Sequence, residues 1–205
     1  MSNRLKDDVD KIMEYNLSLS ARVYFLGSAN EDVDGEEAGV NFLMTERAIK
    51  ALHILESKAP MGDKPITIIM NNPGGDWYHG MAIYDHIKLC RNDVIMQATG
   101  YVMSMGAIIL QAADTRLLTP NARVMLHYGT AGYYGHAKDY IRWGEEEQRA
   151  HNQIEEIFLE KIREKKPEFT KAKVKKLLEF DTIFNAEQAI EFGLADGIVG
   201  EYDYD

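Results

Sequence analysis

One serine interrupts the apolar stretch GYVMSMGAIILQAAD, Gly100 to Asp114, and leaves a hydroxyl at Ser104 in a segment otherwise suited to burial. A serine hydroxyl is a poor nucleophile until a neighbouring base takes its proton and a third group orients that base. Two residues elsewhere offer those roles: His127 closes the apolar alternation ARVMLH, and Asp181 lies between KVKKLLEF and a capped helix starting near Asn185. They follow one another at separations of 23 and 54 residues. Distance along the chain is no obstacle, because such triads are assembled by the fold in any order. Acyl transfer also needs donors for a developing oxyanion. NNPGG places Gly74 and Gly75 just past an apolar run, where bare backbone admits a carbonyl closely, and the Met105 N–H falls in the first turn of the helix after Ser104. Each residue has an ordinary alternative role: a serine at a helix start or an aspartate before a helix often caps it, and a strand-end histidine is often structural. Asp114 and Asp139 compete with Asp181 for the third place.

These residues need elements to hold them. A polar helix opens the chain, ARVYFLG (Ala21 to Gly27) reads as a short strand, and SANEDVDGEEAG as an acidic loop, residues 28–39, leading to a helix from Val40 to Lys58. ITIIM at 66–70, bounded by Pro65 and NNPGG, reads as a strand buried on both faces. A helix from Tyr78 to Cys90, the strand VIMQATG and the apolar helix from Ser104 continue an alternation that predicts parallel pairing with right-handed crossovers. RLLTPNARVMLH gives two strands around a turn. A long amphipathic helix follows from Lys138 to Lys165, with Ile141, Ile154, Ile157, Phe158 and Ile162 predicted inward. Helices finish the chain, the last with Asn185 as N-cap, Gln188 three residues on and Gly193 at its end.

Composition narrows the function. A chain of 205 residues, 45% hydrophobic, suits a single core, so a polar segment at 1–20 and one domain at 21–205 are expected. A net charge of −10 argues against nucleic acid as a partner. The apolar runs are too short and interrupted to span a bilayer, and the charged N-terminus lacks a signal-like apolar core, so a soluble, cytoplasmic protein is expected. Cys90 permits no internal disulfide and reads as a small buried hydrophobe. His53, His79, His86, His136 and His151 have no zinc-ligand spacing, so neither metal nor cofactor is expected. The run EEEQRAHNQIEE at 145–156 reads as a solvated helix face, and Trp77 and Trp143 as packing or rim residues.

NNPGG with GMAIYDHI, then GYVMSMGA, PNARVMLH and DTIFNAEQAIEFGLAD, in this order and spacing, resemble the ClpP family of self-compartmentalising serine peptidases from about Ala21 to Gly200. The resemblance implies a ClpP/crotonase-like α/β fold of repeated β-β-α units, with a long helix in the C-terminal half forming the handle between rings. It puts Ser104 on the nucleophile, His127 on the general base and Asp181 on the orienting aspartate, with Gly75 and Met105 at the oxyanion hole and Gly74 beside them. It further implies a homo-oligomer, a heptameric ring that can stack to a tetradecamer, cutting polypeptides fed by an ATP-driven unfoldase. The segment YGTAGYYGHAKDY after His127, beginning with Tyr128, Gly129 and Thr130, would then bind substrate as an added strand. The chain departs from the family in its polar N-terminal segment, in Thr182 where a basic residue usually helps the rings engage, and in HYGT, which alters the specificity pocket. Alternatives stay open: a specialised processing protease such as one for phage capsid maturation, a catalytically silent ring subunit, or a crotonase-like acyl-CoA enzyme.

Overall fold

The structure, a computed structural model, describes residues 3–27, 39–57 and 64–202. The acidic loop apart from Gly39, and the expected helix end at Lys58, lie outside the described residues. In chain order the elements are α1 (Asn3–Tyr15), β1 (Leu17–Ser18), β2 (Val23–Leu26), α2 (Phe42–Ser57), β3 (Ile66–Asn72), α3 (Trp77–Leu89), β4 (Val94–Met103) and α4 (Met105–Leu110). There follow β5 (Thr115–Leu118), β6 (Arg123–Leu126), α5 (Tyr140–Lys165), α6 (Lys171–Leu178), β7 (Thr182–Asn185), α7 (Ala186–Phe192) and β8 (Gly197–Ile198).

The described strands form one mixed sheet ordered β1-β2-β3-β4-β5-β8, with β6 and β7 branching from β4. From β2 to β8 the neighbours on this path run parallel, as the helical connections require, and β1 is antiparallel at the edge, so Leu17 and Ser18 tie the N-terminal segment into the sheet. β4 is the branching element. Its first half pairs with β5 (Ile95↔Thr115 to Ala98↔Leu118), and its second half pairs with β6 (Tyr101↔Arg123 to Met103↔Met125). Between the halves Gly100 takes φ 61°, a conformation open to glycine that lets one strand turn from one partner to the next.

Several expectations are corrected. The strand expected to stop at Gly100 runs on to Met103, because Gly100 bends the strand instead of ending it. β3 is buried on the face carrying Ile66, Ile68 and Met70 but only partly covered at Thr67 and Ile69, so it is not buried on both faces. The C-terminal region holds two short strands as well as helices. α5 begins at Tyr140 after a single 3-10 turn (Ala137–Asp139), and Ile141 is 71% exposed: the inward stripe begins only where α5 reaches the sheet layer, at Ile154. Cys90 is half-buried at the end of α3, its thiol donating to the His86 carbonyl and pushed up to about 11 by burial, then by Glu56 and Asp114.

The inward residues of α5, Ile154, Ile157, Phe158 and Ile162, join β3, β4 and α4 in a continuous core. α7 forms as its sequence dictates: the Asn185 side chain accepts from the Gln188 N–H (2.8 Å), Gln188 returns the bond to the Asn185 N–H (3.0 Å), and Gly193 ends the helix at φ 86°.

Candidate active site

Strand register brings the three chemical residues together. β3 pairs with β4 at Asn72↔Val102, β4 with β6 at Met103↔Met125, and β6 antiparallel with β7 at Leu126↔Thr182. One residue past those pairs stand Pro73, Ser104, His127 and, across from His127, Asp181. The Ser104 N–H donates to the Met125 carbonyl (2.9 Å), fixing the end of β4 against β6. His127 Nδ1 lies 2.8 Å from Asp181 Oδ1. With the proton on Nδ1, where the carboxylate accepts it, Nε2 keeps a lone pair that can take a proton. His127 is 25% exposed and Asp181 67%, so this bond lies in partly solvated surroundings. The rival aspartates are engaged elsewhere. Asp114 accepts the Val94 N–H (2.8 Å), and Asp139 lines a separate pocket with Arg142 and Arg149.

Ser104 sits on a sharp strand-to-helix turn with φ 51° and ψ −123°, a conformation a residue with a Cβ adopts at a cost of about 1–3 kcal/mol. Its side chain does not cap α4, and among the described residues its hydroxyl forms no hydrogen bond, to His127 or to any other group. The turn packs against the glycine loop. A Cβ on Gly74, at φ 103°, would stand 2.6 Å from Ser104 Cβ and 2.8 Å from the Met103 carbonyl oxygen, so only glycine fits.

The loop is held on both sides. Val40 clamps it, donating its N–H to the Gly74 carbonyl (2.6 Å) and accepting the Asp76 N–H (2.9 Å), while the buried Asn72 side chain accepts the Gly74 N–H (2.8 Å). Gly74 therefore has its amide committed and drops out of the expected donor set. The N–H groups of Gly75 and Met105 donate to nothing among the described residues, and both residues line the same cavity as Ser104.

That cavity encloses about 690 Å³. Ser104, Met105 and His127 lie at its base, Trp77, Tyr133 and Trp143 give it aromatic walls, and Tyr128, Gly129 and Thr130 run along it. The Tyr133 and Trp143 rings stack with centroids 5.7 Å apart. Tyr128 lies over His151 (4.4 Å between centroids) and donates its hydroxyl to Glu155 Oε1 (2.7 Å). Burial, then this bond and the Glu155 charge, and then Glu179 push the Tyr128 phenol well above its ordinary value, so it stays a protonated donor.

Two residues escape the sequence reading. Asn72 sits in the quoted NNPGG, and its signal is an amide at the end of an apolar run. Glu155 belongs to the run read as a solvated face; it is instead 1% exposed, because it falls between Ile154 and Phe158 on the inward stripe of α5. The described residues hold no cluster of three or more His, Cys, Asp or Glu side chains placed for a metal ion, and no helix long and apolar enough to cross a membrane.

The chain matches the Clp protease family over residues 36–202. It is 33% identical over 191 residues to the ATP-dependent Clp protease proteolytic subunit 2 of Pseudomonas aeruginosa, covering 92% of this chain and 85% of that protein. It is 28% identical over 189 residues to the ATP-dependent Clp protease proteolytic subunit of Deinococcus radiodurans, covering 91% and 84%.

Proposed function

Because the chain belongs to the Clp protease family and so has a peptidase's fold, we propose that it is a serine endopeptidase that cuts unfolded polypeptides or short peptides inside an oligomeric chamber. The observation that carries the reading is the 2.8 Å bond between His127 and Asp181 beside a cavity that His127 and Ser104 share. Ser104 Oγ attacks the scissile carbonyl while His127 Nε2 takes its proton, and Asp181 steadies the imidazolium that results. The oxyanion is met by the Gly75 and Met105 N–H groups, the latter at the positive end of α4. Collapse passes the proton to the leaving amine and leaves an acyl-enzyme on Ser104. Water then repeats the sequence and frees the acid. The segment from Tyr128 to Thr130, with no strand beside it among the described residues, offers a backbone edge to the peptide.

The relatives are named as ATP-dependent proteolytic subunits, and from that name we carry over assembly and an ATPase partner. Exposed Ile141, Phe180 and Ile183, none of which lines the cavity, support contact with further copies of the chain. A heptameric ring, stacking to a tetradecamer in the cytoplasm and fed by an unfoldase, is the proposed assembly. No cofactor enters the chemistry.

The test is the intact mass of the protein after a fluorophosphonate probe, with Ser104→Ala as control. One adduct, absent in the control, is the expected outcome, along with a fall in peptide hydrolysis on the order of 10⁴- to 10⁶-fold and unchanged assembly. Cleavage retained by Ser104→Ala overturns the assignment. A second reading has its own observation: the Ser104 hydroxyl, without a partner among the described residues, belongs to a resting site that engages His127 on assembly, and labelling confined to the assembled protein would favour it.

A further inference from the structure

Among the described residues Glu155 is the only carboxylate buried in the core. Burying an ionised group is costly unless its partners are good, so the position of this one calls for a physical account. Each of its oxygens faces a different element. Oε1 accepts the Tyr128 hydroxyl at 2.7 Å, and Tyr128 directly follows His127. Oε2 has no hydrogen-bond partner among the described residues but lies 3.4 Å from Lys171 Nζ and 3.8 Å from Lys175 Nζ, both on α6. α6 ends at Leu178, whose carbonyl accepts the Tyr128 N–H at 2.9 Å, three residues before Asp181. The Tyr128 ring also rests on His151, four residues before Glu155 on α5. From one buried group, α5 thus grips the residue beside His127 and the helix that leads to Asp181.

We propose that Glu155 is a positioning residue for the His127–Asp181 pair, acting through Tyr128 on one side and through Lys171 and Lys175 on the other. The inference rests on the peptidase reading. If His127 takes the proton from Ser104, its ring must stay within reach of both Ser104 and Asp181. Its own neighbours along the chain leave it at the end of β6, followed by residues in no strand or helix. Beside the Tyr128 N–H bond to Leu178, the Tyr128–Glu155 bond adds a second constraint one residue away, and the one that fixes the side chain. Without it Tyr128 loses an anchor, and the short bond to Asp181, made in partly solvated surroundings, competes with water.

The experiment measures fluorophosphonate acylation of Ser104 in the full-length protein, resolved into a maximal rate and a half-saturating probe concentration, with a melting temperature for each variant. Tyr128→Phe keeps the ring and the Glu155 charge but removes the bond. Glu155→Gln keeps an acceptor for the Tyr128 hydroxyl but loses the charge facing the lysines, and Glu155→Ala removes both. The expected result is a maximal rate lowered about ten- to a hundredfold in Tyr128→Phe, the scale of one hydrogen bond to a charged group, with the half-saturating concentration within about twofold. Glu155→Gln recovers most of the rate relative to Glu155→Ala; where Glu155→Ala fails to fold, Tyr128→Phe decides. A folded Tyr128→Phe with the wild-type maximal rate overturns the inference. So does a change confined to the half-saturating concentration, which would make Tyr128 a cavity wall and nothing more. Failure of the peptidase reading is separate: the wild type then takes no adduct at Ser104, and the inference falls with it.

Discussion

The cavity has a floor and a roof, built by different means. The floor is the ends of β4 and β6 with Gly75, backed by β7 and Gly74, and its residues are placed by ladder registers, the Val40 clamp, the Asn72 side chain and, beside His127, the bonds of Tyr128. The roof is residues 129–136 and the first turns of α5, with no strand or helix from 129 to 136 and with Tyr134, Tyr140, Ile141 and Trp143 exposed. A Cβ on Gly132 or Gly144 would meet no atom within 4 Å. Reaction chemistry tolerates little displacement, so backbone bonds and a few short side-chain bonds hold it. Recognition of varied peptides needs a surface that can adjust, and the roof is tied by the Tyr133–Trp143 stack and by no strand ladder among the described residues.

Substitutions in each region sharpen this contrast. On the floor, Asp181→Asn keeps the shape but no longer holds the proton on His127 Nδ1, leaving Nε2 without a free lone pair, and a loss in turnover of about 10⁴-fold is expected in peptide hydrolysis, less than for Ser104→Ala. Gly74→Ala drives a methyl into Ser104 and the Met103 carbonyl at a positive φ. Displacing the nucleophile and the neighbouring Met105 donor is expected to lower kcat about 10²- to 10³-fold, with a lower melting temperature. On the roof, Trp143→Ala removes one stacked wall, and the expected effect is a rise in KM of about three- to tenfold with kcat and melting temperature nearly unchanged. If Trp143→Ala lowered kcat as far as Gly74→Ala, the division between floor and roof would be wrong.

What the sequence could show follows the same line. Elements declared by local chemistry were legible, among them the Asn185 capping box, the Gly193 stop and the apolar runs of β3 and β6. β7 was not, because TIFN becomes a strand only by pairing with β6 more than fifty residues earlier, and no local pattern carries that. The continuation of β4 past Gly100 was hidden for the opposite reason: a glycine read as a stop serves as a bend. Ile141 was misplaced by extending the α5 stripe beyond the layer it packs on, and Glu155 by reading a run of charges as a solvated face when one member of it points inward. Within the site, residue types suggested the Gly74–Gly75 loop, but which amide is free depends on Asn72, a contact that only the folded loop reveals.

The branching of β4 carries a further consequence. One unbroken strand gives its first half to the centre of the sheet and its second half to β6, and Ser104 follows directly on its last residue. The seat of Ser104 therefore has no private opening mode. To loosen it is to begin unfolding the strand that runs through the middle of the molecule, so the Ser104 seat opens with the sheet, while residues 129–136, in no strand or helix, are not bound to it in that way.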